Sequence, residues 1–270
     1  MSKKQEPLQD KVVKGGRPIR LNRVHLLPRN GKNYAELMFW GDVHYGHPAC
    51  NLARAKSNLD YCLEKKVYVF GMGDYIEAGL RESIGDSVYQ QELNPDKQAE
   101  KMIEILQPVA DAGLLIGMLR GNHEARITKE TSVDITRWMA RVLNVPYLGM
   151  ACWNLLYVGN QSYTLYALHG STGSKFLHTK LKAVTDISHN FDADIIAMGH
   201  VHEIDTGWLL VQQVDRTRKM VNEKKKLLVL SGHYLNYDDT YAQEKGYGVG
   251  KQGSPKVKLY TEYHDIHGSE

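Results

Sequence analysis

The hydrophobic positions of this chain fall into short runs that alternate between two periods. Tyr34–Trp40 (YAELMFW) reads as a buried strand and residues 52–64 as a helix. Residues 66–72 are rich in β-branched and aromatic side chains, a strand signature. Residues 96–112 carry Met102, Ile103, Leu106 and Val109 at helical spacing, and residues 113–119 form an apolar strand. A helix is expected over 131–143, with Thr131 or Ser132 as its N-cap. Residues 153–158 and 163–168 are expected to make a hairpin through Gly159-Asn160. Residues 175–189 read as a helix, and 194–198 (DIIAM) as another buried strand. Further on, residues 208–214, 226–230 and 256–263 read as antiparallel strands. The last two are separated by a Tyr- and Gly-rich stretch, 232–255, and a loop of that length is often functional.

This succession fits one α/β domain over residues 21–270, a two-layer β core with helices outside. Residues 1–20 are polar, carry six lysines and arginines and show no periodicity. They are expected to be a mobile basic leader, the sharper alternative being an arm that touches nucleic acid. Composition adds limits. Hydrophobic residues make up 42% and charged residues 24%, which suits a soluble protein with a sizeable core. No apolar run reaches bilayer length, and the N-terminal stretch has no apolar segment of the secretory kind. Cys50, Cys62 and Cys152 are too few and too scattered for a disulfide framework. They read as small buried groups in a reducing, cytoplasmic setting, with no membrane partner expected. The net charge of +3 permits a phosphate-bearing substrate without demanding one.

The chemistry is concentrated in five short polar motifs, each following a predicted strand. In α/β sheets that edge is where ligands usually bind. Gly41-Asp42-Val43-His44 offers a carboxylate and an imidazole two apart, which alternation in an extended segment would point to one side. Gly71-Met72-Gly73-Asp74 offers a carboxylate beside glycines that let the backbone turn tightly. Gly121-Asn122-His123-Glu124 offers an amide oxygen, with His123 placed to meet substrate rather than the same ion. His169 ends the strand YTLYAL, and Gly199-His200-Val201-His202 offers a second pair two apart. Any one motif is weak, but together they supply two carboxylates, one amide and four imidazoles. That set suits Mn, Fe, Zn, Ni or Co, and seven ligands imply two ions sharing one carboxylate.

The ordered motifs, from Asp42 to His202, resemble those of the calcineurin-like metallophosphoesterases: DxH, GD, GNH[DE], a lone H and GHxH. The resemblance implies a β-sandwich flanked by helices. It implies one metal on Asp42, His44, Asp74 and His202, and a second on Asp74, Asn122, His169 and His200, with Asp74 bridging. Two divalent transition metals, Mn foremost, would then hydrolyse a phosphoester through a bridging hydroxide. His123 would act as general acid towards the leaving oxygen, kept charged by a neighbouring carboxylate such as Glu124 or Asp42.

The substrate class rests on finer residues. Leu119 to Glu124 (LRGNHE) and Asp74-Tyr75 resemble the serine/threonine phosphatases, but Ala78 stands where those carry a phosphate-gripping arginine. A dianionic monoester wants such a clamp, so its loss points to a phosphodiesterase or nuclease, similar to the DNA-repair nucleases. Arg81 or Arg126 could substitute, which keeps a phosphomonoesterase open, and a metal-binding scaffold without turnover is the third reading. Tyr45, His47, Arg126 and His233 are candidate substrate contacts. Tyr45, Tyr75, Tyr234 and Tyr237 could stack on bases, although packing is the commoner use of tyrosine. The lysines and arginines between 216 and 226 could touch a phosphate backbone or simply be a solvated turn. Residues 78–95 could form a lid beside the site.

Overall fold

The computed structural model describes residues 9–12, 18–80, 91, 93–171, 176–238, 243, 246 and 248–269. Two mixed sheets face each other, numbered in chain order. The first has seven strands in the order β1 (Gln9–Val12), β2 (Pro18–His25), β7 (Ala151–Val158), β8 (Gln161–Leu168), β9 (Ile195–Met198), β11 (Met220–Ser231) and β10 (Ile204–Asp215). The second has six: β13 (Ile266–Ser269), β12 (Lys256–Tyr260), β3 (Tyr34–Trp40), β4 (Tyr68–Gly71), β5 (Leu115–Leu119) and β6 (Tyr147–Gly149). This is the expected α/β sandwich.

Among the described residues the helices are α1 (Leu52–Lys65), α2 (Pro95–Asp111), α3 (Asn122–Thr131), α4 (Ile135–Val142) and α5 (Leu177–Asn190). α1 starts where the Asn51 side chain accepts from Arg54 N–H and buries Ala55, Leu59 and Cys62 at helical spacing. α2 opens on Pro95 and buries the four apolar residues expected of it. Among the described residues no helix is long and apolar enough to cross a membrane.

β3, β4, β5 and β6 run parallel, as do β8, β9 and β11. β4, β5 and β9 are buried along their whole length, as parallel strands covered on both faces must be. β7 and β8 alternate buried and half-buried residues and join through Gly159-Asn160 as expected. One large core fills the space between the sheets and under α1 and α2. A smaller one lies under α5, formed by Val184, Ile196, Met198, Leu228 and Leu230.

Three expectations change. The helix expected over 131–143 is two helices. Ser132, in left-handed backbone with φ +61°, ends α3, and the Asp134 side chain caps α4 by accepting from Arg137 N–H. The tail hairpin is longer than its apolar runs, with twelve residues in each of β10 and β11. Within the stretch expected to be a leader, residues 9–12 and 18–20 are paired strands of β1 and β2; residues 1–8 and 13–17 lie outside the described residues. So do 81–90 and 92, which include Arg81 and most of the expected lid.

Candidate metal centre

The carboxyl ends of β3, β4 and β5 from one sheet meet those of β8, β9 and β11 from the other. Asp42 and His44 follow β3, Asp74 follows β4, Asn122 follows β5, His169 follows β8, and His200 and His202 follow β9. The backbone there is not extended. Asp42, His44, Asp74, His200 and His202 all have positive φ, from +50° to +67°. Each such residue carries a strain of roughly 1 kcal/mol or more, which persists only where its surroundings fix it. Here they do: Asp42 N–H donates to Gly73 O at 2.9 Å, and the N–H groups of Val43 and His44 both donate to Asp74 O.

Gly73 has φ +96°, and a Cβ on it would meet Gly121 N at 2.7 Å and His169 Nδ1 at 2.8 Å. A Cβ on Gly121 would stand 2.0 Å from Asp74 Oδ1. The glycines of two motifs are therefore required by close approach as well as by turning.

Three overlapping groups of ligating atoms result; in one of them His44, Asp74 and His123 come together, and the other two hold the expected ligands. Of those two, Asp42, His44 and His202 form one, and Asp74, His169 and His200 the other. His44 Nε2 lies 3.1 Å from His202 Nε2, and His202 Nε2 lies 3.4 Å from Asp42 Oδ1. His169 Nε2 lies 3.2 Å from Asp74 Oδ2. Asn122 Oδ1 faces His169 Nε2 at 2.9 Å and His200 Nδ1 at 2.7 Å. Asp74 Oδ2 is also 3.7 Å from His44 Nε2, so it lies between the groups. The expectation that alternation turns each pair to one side is corrected. Left-handed turns, not pleating, place Asp42 and His44, and His200 and His202 separate into different groups.

The residues fit a cation, by an argument from protons. His169 Nδ1 lies 2.8 Å from the Met72 carbonyl, which holds a proton on Nδ1 and turns the Nε2 lone pair inward. His44 Nδ1 is held in the same way by Glu77 Oε2 at 3.2 Å. Inward lone pairs then face each other or an amide oxygen, contacts that only a proton or a metal ion makes favourable. Asp74 Oδ2 is buried and has no hydrogen-bond partner, although His169 is near. An orphaned carboxylate oxygen among imidazole nitrogens is what a bridging ligand looks like.

Charge follows the same geometry. Burial would lower the His169 imidazole, but Asp74 and Asp42 outweigh it and push it up to about 10. Burial and the nearby His123 bring His44 down to about 4. Burial opposes the charge on Asp74, yet His169 and His123 hold its carboxyl well below the usual range. Burial also opposes charge on His123, but Asp74 and Glu77 raise it to about 9. A cation at Asp74 would compete for that carboxylate and lower the imidazoles that depend on it.

The carboxylate that serves His123 is one that the sequence reading passed over. Glu77, buried, stands 3.4 Å from His123 Nδ1, and its own carbonyl accepts from that Nδ1 at 2.7 Å. The same side chain bonds His44, so one carboxylate orients both rings. The signal was its place three residues after Asp74. Glu124 does other work: it accepts from the N–H groups of Asp74, Tyr75, Ile76 and Gly121, tying the second motif to the third. Burial and Asp74 push it up to about 7 against those donors. Asp42 accepts from His200 N–H at 3.1 Å and from Ser231 Oγ, so neither of the two expected partners serves His123.

The candidate substrate contacts divide. Arg126 Nη2 lies 3.0 Å from His123 Nε2. The His233 ring, buried, stacks on His202 with centroids 5.3 Å apart, and its Nε2 has no partner. His47 is half-buried, and its Nδ1 accepts from Ala49 N–H, closing a local turn. Tyr45 packs against the main core while its N–H donates to Tyr75 O. Tyr75 and Tyr234 are fully buried against Trp40, so stacking on bases is corrected to packing for both. Of the basic cluster, Lys226 is buried and donates to the Ser188 and Phe191 carbonyls, and Lys224 donates to Asp192.

The family model for calcineurin-like phosphoesterases matches residues 36–237. No curated protein matches the sequence. Among solved structures, the chain is similar to a predicted phosphoesterase of Streptococcus pneumoniae, at 13% identity over 88% of this chain and 90% of that one, with a TM-score of 0.39. It is similar to vacuolar protein sorting 29 of Cryptosporidium parvum, at 13% identity over 88% and 98%, with a TM-score of 0.40. It is also similar to a metallophosphoesterase of Sphaerobacter thermophilus, at 13% identity over 88% and 89%, with a TM-score of 0.39.

Proposed function

The chain belongs to the calcineurin-like phosphoesterase family, and from that premise we propose that it is a metal-dependent phosphodiesterase with nucleic acid among its candidate substrates. The observation that carries the metal-dependent reading is the buried Oδ2 of Asp74, which accepts no hydrogen bond and stands among His169, His44 and His123 at 3.2, 3.7 and 3.9 Å. Asp42, His44, Asp74 and His202 would hold one divalent cation. Asp74, Asn122, His169 and His200 would hold the other, with Asp74 shared. The nitrogen and oxygen donors suit Mn, and Fe, Zn, Ni or Co fit the same set. When bound, two such ions supply a water acidic enough to act as nucleophile and offset charge on the phosphoryl oxygens.

The chain's own residues do the rest. Glu77 and the Met72 carbonyl fix the inward tautomers of His44 and His169 before any substrate arrives. His123 is tied by its backbone N–H to Asp74 Oδ1 at 2.9 Å, and its Nε2 lies 3.9 Å from Asp74 Oδ2. Its Nδ1 donates to the Glu77 carbonyl and its Nε2 accepts from Arg126, so Nε2 can carry a proton to the leaving oxygen once Arg126 turns to the phosphoryl group. Arg126 beside it is the cation placed to meet a phosphoryl oxygen, with Tyr45, His47 and His233 proposed as further contacts around the site.

The diester preference rests on Ala78. It is fully buried in left-handed backbone with φ +48°, and its N–H donates to Gln98 Oε1, so no cationic clamp projects from that position. A singly charged diester needs less cationic grip than a dianionic monoester.

The test is an assay of the chain supplied with Mn. Expected is hydrolysis of bis(para-nitrophenyl) phosphate and of single- or double-stranded DNA, abolished by a chelator. Hydrolysis of para-nitrophenyl phosphate alone would replace the diesterase by a phosphomonoesterase. Bound metal without any turnover would replace it by a metal-binding scaffold.

A further inference from the structure

At the end of the molecule away from the metal centre, the seven-stranded sheet narrows to two strands. β11 pairs with β9 only from Leu227 to Leu230, whereas β10 and β11 pair with each other down to Asp215 and Met220. Among the described residues, the rungs from Leu209 to Asp215 thus form a ribbon with no strand on either edge. A two-stranded ribbon is marginal in water unless something covers it.

Its apolar residues are uncovered. Trp208, Leu210 and Val214 alternate along β10, and Val221 stands opposite Val214, so all four share one face. They are 48%, 58%, 70% and 59% exposed. β10 also has no charged residue or proline from Thr206 to Val214, the residues that ordinarily blunt a sheet edge.

At the base of the ribbon lies a groove of about 500 Å³, walled by Trp208, Leu210, Glu223, Lys225, His264 and Asp265. Asp194, Glu223 and Asp265 line it against Lys224 and Lys225; Lys224 pairs with Asp194 at 3.4 Å as well as with Asp192 at 2.9 Å, which leaves Glu223 and Asp265 against Lys225. The groove is therefore apolar on one wall and has one carboxylate in excess. The turn at the tip is basic: Arg216, Arg218 and Lys219, with Asp215 3.9 Å from Arg218 as counter-charge. Tip and groove match in apolar surface and in sign of charge. They cannot meet within one chain, because regular strand does not fold back on itself: the groove ends at the Gln212–Glu223 rung, three rungs, roughly 10 Å, short of Asp215–Met220.

We propose that the β10–β11 ribbon is a dimerisation arm, and that the tip of each arm seats in the groove of a second copy of this chain. A two-fold axis satisfies both tips and both grooves at once and closes the assembly. The proposal is independent of the metal centre and of the reaction.

Sedimentation equilibrium of the full chain tests it. The expected mass is twice that of one chain, falling towards one as salt rises, because the charged contacts are exposed. Val214→Glu with Val221→Glu should give the single mass, with an unchanged circular dichroism spectrum and unchanged hydrolysis. Arg216→Glu with Lys219→Glu leaves the apolar face intact and should weaken association roughly tenfold. A wild-type chain of single mass at every concentration, or a dimer indifferent to both variants, would overturn the proposal. So would a monomer that retains duplex DNA through Arg216 and Lys219, since the arm would then be a nucleic-acid contact.

Discussion

Asp42, His44 and Asp74 sit buried on left-handed backbone at the carboxyl ends of the strands, whereas the ribbon at the opposite end keeps regular strand geometry and leaves Leu210 and Val214 in water. The same seven-stranded sheet reaches both ends. At the first, the strained turns of three motifs are pinned by neighbours: Gly73 O, Asp74 O and the four N–H groups on Glu124 hold them as one body. At the second, beyond the anchors of Lys224 and Lys226, no other strand pairs with the outer rungs among the described residues. Strain survives where the surroundings determine it completely, and freedom survives where they do not. Substitutions at the two ends should therefore differ in kind as well as size.

The largest effect is expected at Asp74. Asp74→Asn should lose metal and turnover together, whereas His123→Asn should keep its metal and lose about 10²–10⁴-fold in turnover. Metal analysis beside a rate assay separates them, and a His123→Asn protein emptied of metal would show that ring to be a ligand. Next comes Glu77→Gln, expected to lower activity about 10–100-fold through the two rings it orients. A full-rate Glu77→Gln enzyme would mean that those bonds are incidental.

Gly73→Ala should cost about 3 kcal/mol or more in a urea titration, from its positive φ and the contacts its Cβ would make. A smaller loss would show that the motifs can move apart.

His233 gives a gentler, pH-dependent effect. Burial, then the neighbouring His202, bring its ring down to about 3, so the folded chain holds it neutral while the unfolded chain protonates it below about 6.5. The stability it contributes is present above the unfolded value and is lost as pH falls from 6.5 towards 3. Between pH 7 and 5 the loss is on the order of 1–2 kcal/mol. The difference between parent and His233→Gln unfolding midpoints measures it, and parallel curves would remove His233 as the cause. The smallest effect is expected on the ribbon, where Gln213→Ala should stay within about 0.5 kcal/mol. A cooperative loss of several times that would show the ribbon to be as tightly determined as the site.

Much of this was legible in order along the chain. The runs of β3, β4, β5 and β9 and the β7–β8 hairpin announce themselves by apolar content and by Gly159-Asn160, because local pattern decides strands that are buried or half-buried. The candidate ligands were legible for a related reason: each stands directly after such a run. α3 was hidden because its first turn is the third motif itself, polar and read as chemistry; Glu124, three after Gly121, was the capping signal.

The sequence by itself determined the donor types, their order and the strands that carry them, since these depend on neighbours a few residues apart. Only the tertiary structure decided who meets whom. His44 and His202 are 158 residues apart and come within 3.1 Å because β3 and β9 lie in facing sheets. His200 and His202, two apart, go to different groups because both take left-handed backbone, which residue spacing cannot show. Glu77 became the partner of His44 and His123, in place of Glu124 or Asp42, for the same reason: a carboxylate's role is set by what folding brings to it through space.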